Sequence, residues 1–167
     1  MTSAPETWIP ESGWAPLDED RAQALAEWLH HGQREAGGAP LIDHVRRVAG
    51  AVPHNARVVA WLHEVLEHTA TSEEALLAEG LSSDDLRAIR LLSRNIVSRS
   101  HASYLAHVEQ IVSAEGPGAA TARTVKRADL ADRMAHPSMR ADGWTPAYGM
   151  ALEILRGGLP PCTHARR

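Results

Sequence analysis

Phenylalanine is absent from this 167-residue chain, and cysteine occurs only once. The single thiol, Cys162, has no partner for an internal disulfide, which is typical of proteins from a reducing compartment. No apolar run approaches the roughly 20 residues that a membrane-spanning helix needs. The N-terminal segment also lacks the basic and apolar regions of a signal peptide. The sequence therefore predicts a cytoplasmic protein that has no membrane partner.

The charge balance excludes another class of partner. The formal net charge is −4, so there is no basic excess of the kind that marks nucleic-acid-binding proteins. The length suits one domain with a buried core. We expect an irregular segment at residues 1–17, a single domain at 18–157 and a flexible tail at 158–167. No pattern in the sequence indicates an oligomeric state.

Apolar residues recur at helical spacing along most of the chain, and no useful stretch alternates with the period of two of a β-strand. The predicted class is therefore all-α. Ser72 and Ser82 lie in segments typical of helix N-termini and predict two short helices. The longer predicted helices cover about residues 18–35, 40–52, 55–68, 104–113, 119–135 and 146–155.

A cluster of histidine and glutamate lies in the third predicted helix. On a continuous helix His63 and Glu67 share a face, with Glu64 about 100° round from His63. Such side chains can bind a metal or perform acid–base chemistry, but they are also common on solvated helix faces. The apolar run at 58–62 argues against a solvated face. A buried His–Glu pair must be hydrogen-bonded, paired or metal-bound.

Two further candidates come from other segments. Asp129 and Asp132 lie three positions apart in a late helix, and each has an ordinary explanation as the partner of a nearby lysine or arginine. His44 in the second predicted helix is, taken alone, as readily explained as a core histidine. None of these residues identifies a function by itself.

Four motifs in order are more specific than any one of them. The chain reads HHGQR at 30–34, GAPLIDH at 38–44, AWLHEVLEHT at 60–69 and VKRAD at 125–129. This series resembles the HD-domain hydrolases, whose pattern is roughly H-x-G-Q, P-Y-I-x-H, L-H-D-x-x-E-D-T and V-K-x-A-D. Within them it is most similar to the RelA/SpoT-type alarmone hydrolases and their small single-domain relatives. The resemblance covers about residues 22–133 and implies an HD-domain helical bundle.

The resemblance also implies a metal site and a reaction. The implied metal ligands are His44, His63, Glu64 and Asp129. Glu67 falls on the acidic residue that positions or activates the attacking water, and His30 falls on a structural histidine. Two imidazoles and two carboxylates suit Mn²⁺, the metal typical of the family, with Fe²⁺ and Zn²⁺ as alternatives. The implied chemistry is hydrolysis of a phosphate ester or pyrophosphate link.

Several positions depart from the family pattern. The family's His-Asp doublet is His63-Glu64 here, and the second acid of its acidic pair is His68, whose side chain titrates near neutral pH. Arg133 replaces an asparagine beyond the last aspartate. The basic pair that holds the guanine nucleotide is missing, and Arg34 is the nearest candidate replacement. We therefore place His68 with Glu67 as a catalytic candidate, and Arg34 with Arg133 as candidates for binding substrate.

These observations leave three functions open. The first is a metal-dependent phosphohydrolase acting on a nucleotide, with (p)ppGpp as the best guess for the substrate. The second is a degenerate HD domain that binds a nucleotide or a protein partner without turnover, which the departures favour. The third is a metal-free helical protein whose polar core is structural.

Overall fold

A computed structural model describes residues 15–94, 100–136 and 143–157 of the chain. Within these ranges the regular structure is helical, apart from an isolated bridge between Arg34 and Pro40. The predicted all-α class is confirmed. The predicted tail at 158–167 and residues 1–14 of the predicted N-terminal segment lie outside the described residues. The helices are α1 (Glu19–Leu29), α2 (Leu41–Ala51), the 3-10 helix η1 (His54–Ala56), α3 (Arg57–Leu62), α4 (Val65–His68), α5 (Glu73–Ala78), α6 (Ser83–Leu92), α7 (His101–Ser113), α8 (Ala119–Ala135) and α9 (Thr145–Leu155).

The first helix is shorter than its apolar pattern predicts. Asp18 caps it by accepting a hydrogen bond from the Arg21 amide at 2.9 Å, but the helix ends at Leu29 and not near residue 35. Gly32, with φ +76°, then turns the chain into a tight loop. That loop is closed by the Leu41 amide, which donates to the Gln33 carbonyl at 3.0 Å. The prediction was wrong because local turn chemistry overrides a continuing helical pattern.

The third predicted helix is broken at the residues that carry its chemistry. The stretch from 54 to 68 forms η1, α3 and α4, and His63 and Glu64 lie in the turn between α3 and α4. Glu64 has φ −96° and ψ −8°, outside regular helical values. The prediction of one continuous helix, on which His63 and Glu67 would share a face, is therefore wrong. The turn directs the Glu64 side chain toward His63, α2 and α8.

Two hydrophobic clusters form the interior, and α8 contributes to both. The larger one unites α1, α2, α3, α5 and α6, and Val125 of α8 packs into it. The smaller one joins α7 and α9, and Leu130 of α8 packs into that. Because α8 runs along both clusters, Lys126 and Asp129, its buried polar residues between Val125 and Leu130, lie at their junction. That junction is where the candidate site forms.

The start of α8 is fixed by a close approach to α6. Gly118 precedes α8 with φ +76°, and a Cβ there would lie 2.4 Å from the Asp84 carbonyl oxygen and 2.8 Å from the Ala88 nitrogen. A glycine satisfies both the left-handed conformation and the short distance. The contact fixes the position of α8 relative to α6.

Candidate metal centre and adjoining pocket

Four of the predicted site residues come together at the junction of the clusters. α2 supplies His44, the α3–α4 turn supplies His63 and Glu64, and α8 supplies Asp129. All four side chains are buried, and one candidate ligand atom from each lies within 4.8 Å of the others. His44 Nε2 is 3.2 Å from Asp129 Oδ1 and 3.6 Å from Glu64 Oε1. A buried cluster of this composition could bind a divalent metal.

Both histidines are oriented through the ring nitrogen that faces away from the cluster. The Nδ1 of His44 lies 2.7 Å from Asp132 Oδ2, and the Nδ1 of His63 lies 2.6 Å from the Ala60 carbonyl oxygen. An oxygen that can only accept requires Nδ1 to be the donor in each pair. Metal-bound histidines in proteins are held in the same way, by a hydrogen bond from the second nitrogen.

The two Nε2 atoms are thereby directed to the centre. His63 Nε2 is buried, lies 3.4 Å from Glu64 Oε1 and has no hydrogen-bond partner among the described residues. A buried polar atom without a partner is costly, and a metal ion would satisfy it. Two imidazole nitrogens and two carboxylates are a donor set that fits Mn²⁺, Fe²⁺ or Zn²⁺.

Strong electrostatic coupling accompanies this geometry. Burial opposes ionisation of Glu64 and Asp129, yet the Arg133 guanidinium holds the pKa of both carboxyl groups well below the usual range. Burial likewise disfavours a charged His44, but hydrogen bonds to Asp129, Asp132 and Glu64 raise its pKa to about 10. The carboxylates therefore remain anionic and attract cations to the centre.

Arg133 contacts both carboxylates of the cluster. Its Nη2 is 2.5 Å from Glu64 Oε1, and its Nε is 2.6 Å from Asp129 Oδ1. The same Nη2 lies 3.4 Å from His44 Nε2. Lys126 adds a second cation, with Nζ 2.8 Å from Asp129 Oδ2. The ordinary interpretation of Asp129 as an ion-pair partner thus holds together with its place in the cluster.

The catalytic candidates lie beside the cluster. Glu67 accepts hydrogen bonds from the Arg94 backbone and guanidinium, each at 3.2 Å. His68 places Nε2 2.9 Å from Glu64 Oε2, and its side chain is 42% exposed. Ligand atoms of Glu64, Glu67 and His68 also lie within 4.8 Å of one another. Glu67 and His68 therefore flank Glu64 on its solvent side.

A pocket of about 560 Å³ opens over these residues, a size typical of small-molecule sites. Arg34 reaches its rim from an exposed position and donates to the Gly38 carbonyl at 2.6 Å. Tyr104, Trp144 and Tyr148 give the pocket an aromatic side, with ring centroids 5.5 to 6.0 Å apart. The residues lining it include Gln33, Arg34, Glu35, His63, Glu64, Glu67, His68, Arg94, Tyr104, Lys126, Asp129, Arg133, Trp144 and Tyr148.

Sequence reasoning noted Asp132 only as a possible ion-pair partner and missed Arg47 and Arg94, which also support the site. Asp132 orients His44 and is itself held by Arg47, whose Nε donates to Asp132 Oδ1 at 2.7 Å. Its position three residues after Asp129 was a usable signal, because it placed a second acid one turn further along α8. Nothing in the sequence signals that Arg94 contacts Glu67, since the two belong to distant segments.

Comparison with solved structures finds a similar fold. A metazoan ortholog of SpoT, described as hydrolysing ppGpp and as playing a role in starvation responses, superposes with a TM-score of 0.69. The match is 18% identical in sequence and covers 87% of this chain and 89% of that chain. The chain has the HD-domain fold. At this identity the likeness establishes the HD-domain fold alone.

Comparisons of sequence alone do not identify a family for the chain. No protein-family model matches the chain, and the search of curated proteins finds no match. Among the described helices, none combines the length and apolar character needed to cross a membrane.

Proposed function

We propose that the chain is a metal-dependent phosphohydrolase acting on a nucleotide phosphate or pyrophosphate. The observation that carries the proposal is the convergence of His44, His63, Glu64 and Asp129, the last three of which line an open pocket. The orientation of both imidazoles toward this centre supports the assignment of these four residues as metal ligands. Mn²⁺ is the proposed metal.

When bound, a divalent ion would supply Lewis acidity to the phosphate and lower the pKa of the attacking water. The protein's own part follows from the positions of its side chains. Glu67 is proposed to accept the proton of that water, with Arg94 holding its carboxylate in place. His68, bonded to Glu64 and half exposed, is the proposed route by which the proton leaves.

The walls of the pocket support a nucleotide as substrate. Arg94 and Lys126 line it but are paired with Glu67 and Asp129, whereas Arg34 is exposed at the rim, where a phosphate can reach its guanidinium. Trp144, which is half-buried and less enclosed than Tyr104 and Tyr148, offers a face on which a base can stack. The best candidate is (p)ppGpp, hydrolysed at its 3′-pyrophosphate, because the structural neighbour acts on ppGpp.

Binding without turnover is the second candidate, and one observation favours it. The Arg133 guanidinium contacts the same carboxylates that would hold the metal. With the Arg133 guanidinium fixed there, the protein would bind a nucleotide in the pocket but would not hydrolyse it.

Hydrolysis of ppGpp by the purified, metal-stripped protein separates the two candidates. With added Mn²⁺ we expect GDP and pyrophosphate to appear, and no product in chelator. The Asp129→Asn variant should abolish product, whereas Asp20→Asn, which changes an exposed acid on α1, should not. Nucleotide binding without product from ppGpp, pppGpp or other nucleotides would overturn the enzyme proposal in favour of the second candidate.

A further inference from the structure

Arg133 approaches the candidate metal centre from α8, one turn after Asp129. Its guanidinium is fixed by two short hydrogen bonds, one to Glu64 Oε1 and one to Asp129 Oδ1. These are the same two oxygens that lie 3.2 to 3.6 Å from His44 Nε2. The guanidinium therefore lies among the atoms assigned as ligands and not beside them.

The rest of the side chain is enclosed. The Arg133 side chain is 15% exposed, and its Nη1 lies 3.8 Å from Glu35 Oε2 in the loop before α2. Three carboxylates thus surround one largely buried guanidinium. Such a charge-assisted, forked arrangement is among the stronger polar contacts available to a protein.

A divalent ion and this guanidinium require the same carboxylate oxygens. Both are cations, so simultaneous binding would leave like charges within a few ångströms in a buried site. Metal binding consequently requires the guanidinium to leave Glu64 and Asp129. Arg133 also lines the open pocket, which gives the displaced side chain a space to enter.

We infer that Arg133 is a tethered cation that competes with the divalent metal for the centre formed by His44, His63, Glu64 and Asp129. The inference rests on the metal site of the proposed function, and it concerns how tightly that site holds its ion. In the metal-free protein Arg133 neutralises the carboxylates; in the metal-bound protein it faces the pocket. Metal affinity is therefore lower than the four ligands alone would give.

Calorimetric titration of Mn²⁺ into metal-stripped protein tests the competition without any assay of activity. Arg133→Gln removes the charge and keeps a polar but shorter side chain, and we expect it to bind Mn²⁺ at least about tenfold more tightly than wild type. The matched control is Arg127→Gln, which makes the same change on the exposed side of α8, where Arg127 donates to the Leu155 carbonyl. This control should bind Mn²⁺ like the wild type.

A second variant covers the case in which Arg133→Gln does not fold without metal. Arg133→Lys keeps the positive charge but loses the fork that bonds both carboxylates, so its Mn²⁺ affinity should exceed that of the wild type by a smaller factor. Affinities equal to or weaker than wild type in both variants would overturn the inference.

The two proposals fail separately. Tighter Mn²⁺ binding in the variants, with no hydrolysis by any form of the protein, would keep the competition and reject the enzyme. Hydrolysis by the wild type, with Mn²⁺ affinity unchanged in Arg133→Gln and Arg133→Lys, would keep the enzyme and reject the competition.

Discussion

His44 donates a hydrogen bond from Nδ1 to Oδ2 of Asp132 at 2.7 Å, across 88 residues of sequence. The bond joins the N-terminal half of α2 to the C-terminal half of α8 and fixes which nitrogen of His44 faces the candidate metal centre. Arg47 holds both oxygens of this carboxylate, through hydrogen bonds of 2.7 Å to Oδ1 and 3.0 Å to Oδ2. The candidate ligand is therefore oriented by a carboxylate that is itself oriented.

Replacing Asp132 with asparagine tests this support. The amide keeps the shape of the carboxylate but weakens the acceptor that orients His44, and we expect the affinity for Mn²⁺ to fall about 10- to 100-fold. Calorimetric titration of the metal-stripped protein measures the change, with Asp20→Asn as the control. Wild-type affinity in Asp132→Asn would show that His44 needs no such support.

Glu67→Gln separates a role in proton transfer from one in metal binding. Glutamine retains an oxygen that can accept from Arg94 but is not a base, so kcat for ppGpp hydrolysis should fall about 10²- to 10⁴-fold. The affinity for Mn²⁺ should stay at the wild-type value, because Glu67 is not one of the four proposed ligands. Equal kcat values in the variant and the wild type would remove Glu67 from the proton-transfer role.

Trp144→Leu tests the proposed stacking face of the pocket. Loss of a base–aromatic stack costs about 1 to 3 kcal/mol, equivalent to a rise of about 5- to 150-fold in the Kd for a nucleotide. Inorganic pyrophosphate, which has no base, should bind equally well to both proteins. Met150→Ala on the exposed side of α9 is the control. A variant that loses affinity for both ligands equally would contradict stacking.

His107 gives a dependence of stability on pH that is separate from the metal centre. Burial, with Lys126 and Arg94 nearby, lowers its pKa to about 4, and its Nε2 donates to the Leu92 carbonyl at 3.2 Å. Between pH 4 and about 6.5 the unfolded chain binds a proton here that the folded chain does not. Stability therefore falls as the pH falls through this window.

His107→Gln keeps a donor for the Leu92 carbonyl and removes the titration. Urea unfolding at about pH 7 and about pH 5 should show a smaller loss of stability in the variant, by about 1 kcal/mol after allowance for partial solvent contact. The same loss in both proteins would show that His107 titrates normally in the folded state.

The order of the sequence motifs predicted which distant side chains would meet. His44, His63, Glu64 and Asp129 are brought together because each motif falls on a helix or turn that faces the junction of the two hydrophobic clusters. The apolar residues before His63 correctly indicated burial. The roles of these residues as metal ligands remain predictions.

The sequence did not predict the helix break at Glu64 or the contact between Arg133 and Glu64, because both depend on three-dimensional packing. A helical pattern through residues 55–68 does not reveal that Glu64 leaves the helix, because the break depends on contacts made by the folded site. Arg133 was assigned to substrate, and its local spacing from Asp129 allowed an ion pair, but its bond to Glu64 joins segments 69 residues apart. Long-range polar contacts of this kind have no local signature.

Counting the Mn²⁺ ions bound per chain tests the metal centre most directly. Free Mn²⁺ gives an electron paramagnetic resonance signal that is largely lost on binding, so a titration yields both stoichiometry and affinity. For the metal-stripped wild type we predict one bound ion per chain, and for His63→Ala, which removes the unpartnered Nε2, a large loss of that binding. No bound ion in the wild type, or undiminished binding in His63→Ala, would contradict the assignment.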